Sequence, residues 1–579
     1  MPTVATVGDG PAAAAVRATL EDANPDIEVR ATAGIEEVGD ADLAVVAAPT
    51  GAAAFAAAAY SGRPWIAVEL GGVGGHALSQ VTAAVTGFAP ETACYDCLRG
   101  RVASNLDGDA EREAAPDPDP APADARVAGA LGGRAAVRAL SGEGSAFGTV
   151  RERPHARRRL LPLPHCDCAP ERDRALRREH EPRDLEAALK RAERAVDPRI
   201  GIVREVGEVE SFPVPYYLAT LCDTSGFSDA RASRQAAGVD PDWNAAFMKA
   251  LGEALERYGA GVFRRSEFAG RPDATAVPLE SFVLPEGTSA GAGGDGSAPA
   301  HGWVPGEDLH AGERVALPAP RVQFPLEGAG PTITTGLGLG NSGSEALSAG
   351  LAEVIERDAA MLAWYSTYEP LGLSISGSDA GERSAFEAVR RRARAEGLTL
   401  TPTLLTQDVD VPVVACAVHR DGEWPRFAVG TDAALDVASA AGSAACEALQ
   451  NWSELRRMGR SRAADAGGRI GHFASLPVAA RAFTDPETTI PADSVDAAVP
   501  PEGRLDALLD RVAEAGLDAY AARLTPRDVE ALGFEAVRVL VPAAQPLFLD
   551  DPYFSERAER VPRELGFEPR PDREDHPFP

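Results

Sequence analysis

Two segments of the chain carry carboxylates at a spacing that could hold a hard cation. AFMKALGEALERYGA (246–260) and ALSAGLAEVIERDAA (346–360) share the register Leu-x-Glu-x-x-Glu-Arg at an offset of one hundred residues. Apolar residues recur at helical spacing in both: Phe247, Leu251, Leu255 and Tyr258 in one, Leu347, Leu351 and Ile355 in the other. Glu253 with Glu256, and Glu353 with Glu356, then project together from another side, their Cβ atoms roughly 5–6 Å apart. Either helix alone reads as a solvated face, with Glu253–Arg257 and Glu353–Arg357 as ion pairs worth a few tenths of a kcal/mol. The repeated register argues for a second reading, in which the helices face each other and each close carboxylate pair repels by roughly 3 kcal/mol at an effective dielectric near 20. Such a cluster calls for a cation, and Mg2+ suits carboxylate and phosphate oxygens together. A third segment, AACEALQNW (444–452), repeats the spacing with Glu447 and Gln450, and its weaker acid content suits a positioning role. Lys249 lies on the carboxylate side of the first helix. Contact with a phosphate and a salt bridge to Glu253 are both open to it.

Four of the seven cysteines fall in two short pairs, Cys94-x-x-Cys97 and Cys166-x-Cys168. Two such knuckles brought together supply the four soft ligands of a tetrahedral structural Zn2+. Cys222, Cys416 and Cys446 sit in apolar surroundings and read as small core residues. Near the N-terminus Gly8 and Gly10 lie between a strand and a helix, where a nucleotide phosphate could approach the backbone. Ala13 stands where a dinucleotide fingerprint has its third glycine, so a plain strand-to-helix turn is the stronger reading.

Around these groups, TVATV (3–7), DLAVVAAP (42–49) and WIAVEL (65–70) read as buried strands separated by helical stretches, the pattern of a Rossmann-like parallel α/β sheet. Residues 107–125 are too rich in Asp and Pro to pack and read as a loop. The charged run after Cys168 reads as a helical connector ending near Arg194. The expected division is therefore a zinc-containing domain over 1–190 and an α+β domain over 196–579. The second carries a flexible Gly/Ser-rich insertion near 285–300, apolar strands beginning at Val411 and Glu535, and a proline-rich C-terminal tail.

The chain is acidic throughout, with 57 Lys+Arg against 87 Asp+Glu and a net charge of −30. Its charge lacks the basic footprint of a nucleic-acid-binding protein and suits a surface solvated in a halophilic cytoplasm. No apolar run approaches the roughly 20 residues of a membrane span, and the N-terminus lacks the basic and apolar regions of a signal peptide, so a cytoplasmic protein without membrane partners is expected.

ALGEALERY (250–258), GLGLGNSGSEALSAGLAEVIERDA (336–359), EALQNW (447–452) and LTPRDVEALGFEAVRVLVPAAQPL (524–547) together resemble the YcaO family. These are ATP-dependent enzymes that include the azoline-forming cyclodehydratases of thiazole/oxazole-modified peptide and bacteriocin pathways. GDGPAA, CYDC and LPLPHCDC in the first 190 residues resemble the activating-enzyme-like (ThiF-like) zinc partner of those enzymes, here fused in one chain. The resemblance implies Glu253, Glu256, Glu353 and Glu356 as Mg2+ ligands, Asn341 and Arg538 as ATP contacts, and Glu447 and Gln450 in the same site. Pro577, Phe578 and Pro579 correspond to a tail that orders the active site. This sequence has Asp575 where the family has a proline, Lys249 where serine is usual and Thr335 where asparagine is usual. The activity implied is phosphorylation of a peptide-backbone amide, closing Cys, Ser or Thr into an azoline with release of ADP and phosphate. Thioamide formation with an external sulfur donor uses the same activation. Adenylation in the N-terminal domain and a non-catalytic peptide-binding scaffold are the rival classes. The resemblance also admits a homodimer and a separate leader-binding or sulfur-donor partner, since no winged-helix segment precedes the first strand.

Overall fold

The computed structural model describes all residues except 24–25, 107–120, 143–145, 169–171, 271–272, 286–300, 327–332, 376–381, 466–468, 549–550 and 579. The expected insertion at 285–300, most of the expected loop at 107–125, and Pro579 thus lie outside the described residues. The chain forms two compact units, and they are not consecutive segments. Residues 193–205 and 221–231 belong to the first unit with 1–172, while 173–192, 206–220 and 232–579 form the second.

The first unit is built on a seven-stranded sheet in the order 28–32, 3–7, 43–49, 65–70, 83–88, 149–153, 156–159. The first four strands are parallel, as their alternation with helices requires. The remaining three add antiparallel, so the expected parallel sheet makes up only one side. Gly8, at φ +116°, follows the first strand, and a Cβ there would lie 2.4 Å from the Ala47 carbonyl oxygen. The glycine turn is accounted for by this close approach.

In the second unit the charged run departs from expectation. Residues 173–184 are extended, and only Leu185–Ala192 is helical. The reason lies in where the arginines go. Arg174 pairs with Glu267, Arg177 with Glu530 and Glu535, and Arg178 with Glu307, at 2.5–2.8 Å. Partners spread over two strands and two helical segments distant in sequence hold the segment out as a strap, which a helix could not reach.

Three sheets, of three, six and five strands, make up the β structure that includes the rest of this unit. Strand Val413–His419 is buried on both faces: Val413, Ala415 and Ala417 enter one core cluster, and Val414, Cys416 and Val418 the other. Cys446 joins Cys416 in the second cluster, as their apolar settings suggested.

Three strand–helix units recur, each with its strand in a different sheet: Gln235–Val239 with Trp243–Gly261, Leu337–Gly340 with Gly343–Trp364, and Phe427–Ala433 with Val437–Met458. Asp242, Ser342 and Asp436 cap the three helices, each side chain accepting a backbone N–H three residues on. A strand glycine lies against the helix backbone each time. A Cβ on Gly238 would meet the Ala250 nitrogen at 2.1 Å, on Gly338 the Ala346 oxygen at 2.1 Å, and on Gly430 the Ala444 oxygen at 2.5 Å. None of these three glycines has positive φ, so close approach alone dictates the residue type. Gly338→Ala should therefore push helix and strand apart and cost about 1–3 kcal/mol, read as a lowered denaturation midpoint. Gly442→Ala, in the third helix with open space around it, serves as the near-neutral control.

Candidate active site

The close approach has a direct chemical result. Each helix sends one carboxylate back to a backbone N–H of the strand or turn before it. Glu253 accepts from Ala237 N at 2.8 Å, Glu353 from Gly336 N at 3.0 Å and Glu447 from Thr431 N at 2.7 Å, over separations of 16, 17 and 16 residues. With these fixed, the residues one helical turn further on, Glu256, Glu356 and Gln450, face the same space. All six line one cavity of about 1060 Å3, together with Glu345, Asp432, Arg257 and Arg357.

The charge in this cavity is under-compensated. Burial, reinforced by Glu353 and Glu253, pushes Glu256 up to about 8. Glu447 is pushed up to about 7, chiefly by burial and then by Glu356, against the pull of Arg357. Glu253 and Glu353 are raised mainly by burial, and Asp432 well above the usual carboxylate range by burial and Glu356. Arg257 pairs with Glu253 at 2.5 Å, and Arg357 reaches Glu356 at 3.4 Å. Glu356, 5% exposed, also accepts from the Thr431 hydroxyl at 2.5 Å. The four arginines that line the cavity, Arg183, Arg257, Arg357 and Arg504, face eight carboxyls, several of them inclined to keep a proton, and an oxygen-seeking divalent cation fits where that protonation now relieves the repulsion.

Other expected residues lie elsewhere. Lys249 does not line the cavity, and its ammonium pairs with Asp240 at 2.8 Å in place of Glu253. Asn341 stands behind the wall: its backbone and side-chain nitrogens donate to Glu345 at 2.8 and 3.0 Å, and Arg191 donates to its oxygen. Arg538 lies on a neighbouring smaller cavity, its guanidinium donating to the Thr334 and Ile333 carbonyls at 2.8 and 2.9 Å. Phe578 is buried against Trp364 and Phe483, and the His576 ring bonds the Phe548 carbonyl at 2.8 Å. The tail including Pro577 therefore packs at the C-terminal end of the second carboxylate helix and does not line the cavity.

Sequence reasoning missed Glu345, Asp432, and the His180 and Arg183 that the strap brings to the cavity wall. Glu345 had a readable signal, the Ser342-x-x-Glu345 pattern of a capping box, although its carboxylate accepts from the Asn341 N–H one residue before the cap. Asp432 ends a buried strand, and only the meeting of two elements gives it a role.

In the first unit the sulfur atoms of Cys94, Cys97, Cys166 and Cys168 all lie within 4.8 Å of one another. Separations of 3.4 Å (Cys94–Cys166), 3.6 Å (Cys97–Cys168) and 3.8 Å (Cys94–Cys97) bracket the ~3.8 Å edge of a tetrahedron with Zn–S bonds of ~2.3 Å. Leu163 N donates to Cys97 Sγ at 3.2 Å, fixing the second strand of the cluster beside the first. The cluster could hold zinc.

Over its full length the chain shares the architecture of solved heterocyclases. The structure described as "Heterocyclase in complex with substrate and Cofactor" superposes with a TM-score of 0.71 over 98% of this chain and 83% of that one, at 18% identity. The heterocyclase TruD superposes with a TM-score of 0.63 over 98% and 82%, also at 18% identity. Both likenesses define a heterocyclase-type fold. Residues 235–545 match the family described as "YcaO cyclodehydratase, ATP-ad Mg2+-binding", and the chain belongs to the YcaO family. An uncharacterized protein of Methanothermobacter thermautotrophicus is 31% identical over 333 residues, 55% of this chain and 81% of the relative. No described helix is long and apolar enough to cross a membrane.

Two outcomes follow from the titrating groups and the sulfur cluster. With Glu256 and Glu447 raised from 4.5 to about 8 and 7, the folded protein without cation binds more protons than the unfolded chain between those values. This part of its stability is full below about pH 4.5 and is lost as pH rises to 8. Thermal melts should show that decline, Mg2+ should oppose it at pH 8, and Glu256→Gln should flatten it. Metal analysis should find one zinc per chain, and Cys97→Ser should lower both zinc content and melting temperature, with a cost of about 2–5 kcal/mol if the metal is structural.

Proposed function

We propose that the protein uses ATP to activate backbone amides of a peptide substrate and closes Cys, Ser or Thr side chains into azolines. The observation that carries this reading is the convergence of two carboxylate pairs and the Glu447/Gln450 pair, each with one carboxylate anchored to backbone, on one cavity large enough for a nucleotide, in a chain of an ATP- and Mg2+-binding family. In this reading Glu253, Glu256, Glu353 and Glu356 hold Mg2+, which would neutralise charge on the phosphate oxygens. Glu447 and Gln450 orient the nucleotide from the third helix, and Arg357 offers its guanidinium to the transferring phosphoryl group. Asn341 acts through Glu345, holding that carboxylate against the helix N-terminus. Pro577 and Phe578 steady the second carboxylate helix from its far end, and Cys94, Cys97, Cys166 and Cys168 hold a structural Zn2+ in the first domain.

The chemistry follows from the poor leaving ability of an amide oxygen. A substrate thiol or hydroxyl attacks the preceding carbonyl carbon, forming a C–S or C–O bond and losing its proton, while the carbonyl π electrons move to oxygen. That oxygen attacks the γ-phosphorus of ATP as the bond to ADP breaks. The C–O bond then breaks with phosphate leaving, the nitrogen lone pair forms C=N, and the amide proton is released.

Purified protein should bind Mg-ATP, and Glu256→Gln and Glu356→Ala should each weaken that binding by at least about a hundredfold in calorimetry while leaving zinc content unchanged. Unchanged nucleotide affinity in both variants would sink the site. Pyrophosphate in place of ADP and phosphate would favour adenylation instead.

A further inference from the structure

A second, smaller cavity of about 100 Å3 adjoins the first, and Arg357 lines both. The second cavity's volume is about a tenth of the first's. Its described lining contains Arg321, Arg357 and Arg538 and no Asp or Glu, in a chain with 87 acidic residues.

Gln323 projects into this space. It is 2% exposed, and neither its Oε1 nor its Nε2 has a hydrogen-bond partner among the described residues. Arg538 Nε, at the same wall, is likewise buried without a partner. The contrast with Gln545, which lines the cavity too, is instructive. Its Nε2 donates to the Pro546 and Tyr553 carbonyls at 2.8 and 3.2 Å, and its Oε1 accepts from Ser555 N at 2.7 Å. A buried amide left wholly unsatisfied lowers stability, and a folded protein retains one where a ligand completes it.

The missing partner must both accept and donate. A phosphate or carboxylate could take the Nε2 donor and the guanidinium donors, but it would set an anionic oxygen against Gln323 Oε1, which needs an N–H. A ligand with an adjacent C=O and N–H satisfies both atoms. We infer that this cavity is the subsite for the substrate's peptide amide: Gln323 pairs with peptide N–H and C=O groups, and the arginines face the carbonyl oxygen as it becomes an oxyanion. Arg357, shared by both cavities, then sets that oxygen next to the nucleotide. Gln323 and Arg538 Nε are substrate-binding groups in this arrangement. The inference rests on the larger cavity holding Mg-ATP.

The test uses the full chain with Mg2+ and a non-hydrolysable ATP analogue, and N-acetylcysteine methylamide at millimolar concentration as probe. Saturation-transfer NMR should show the probe bound to the wild type. Gln323→Leu should weaken that binding at least about tenfold, because the variant keeps the volume and loses both polar atoms. Nucleotide affinity should be unchanged. The variant's melting temperature should be equal or higher, since an unsatisfied buried amide is gone, whereas a purely structural glutamine would lower it. Gln323→Glu, which keeps the acceptor and loses the donor, should also bind the probe weakly, and it stands in if the leucine variant does not fold. Equal probe binding by wild type and variants, or no probe binding by a wild type that binds nucleotide, would overturn the subsite. A wild type that binds no nucleotide would overturn the reading of the larger cavity, and this one with it.

Discussion

The carboxylate-lined cavity depends on a contact with no side chain on one of its sides. Gly238, Gly338 and Gly430 let a strand touch the backbone of the helix that follows it. Only at that range can Glu253, Glu353 and Glu447 reach a backbone N–H. A carboxylate accepting a backbone hydrogen bond has lost its rotamer freedom and cannot turn away from its neighbours. The mutual repulsion that follows is held in place by the fold.

Much of this was legible in the sequence, and what was legible was local. The Leu-x-Glu-x-x-Glu-Arg register, the third helix with Glu447 and Gln450, and the two cysteine pairs are patterns of spacing, and helical geometry or ligand chemistry converts spacing into neighbourhood. Long-range pairing could not be read in the same way. The charged run after Cys168 resembles a helix by composition, yet its arginines find carboxylates more than ninety residues away and the segment stays extended. For Lys249 the sequence offered a phosphate or Glu253 on its own helix, and in the fold its ammonium pairs with Asp240. Asp432 and Gln323 carry no motif, because each acquires its meaning from elements that meet only in the fold.

The strap also shows what a strongly acidic chain does with its arginines. Arg174, Arg177, Arg178 and Arg523 pair with carboxylates, and Arg523, 1% exposed, is bonded to Glu535 at 2.7 Å. Paired in this way, these cations are directed at particular partners. The pairing carries His180 and Arg183 to the mouth of the cavity.

The three anchored helices follow strands from three different sheets. A pocket whose walls belonged to one sheet would keep its shape while the others frayed. Here the pocket is complete only when all three sheets are in register with one another, so it acts as a gauge of the whole unit's integrity. A ligand that bridged the three walls would work as a cross-brace between the sheets, its binding energy distributed through the fold as resistance to local opening.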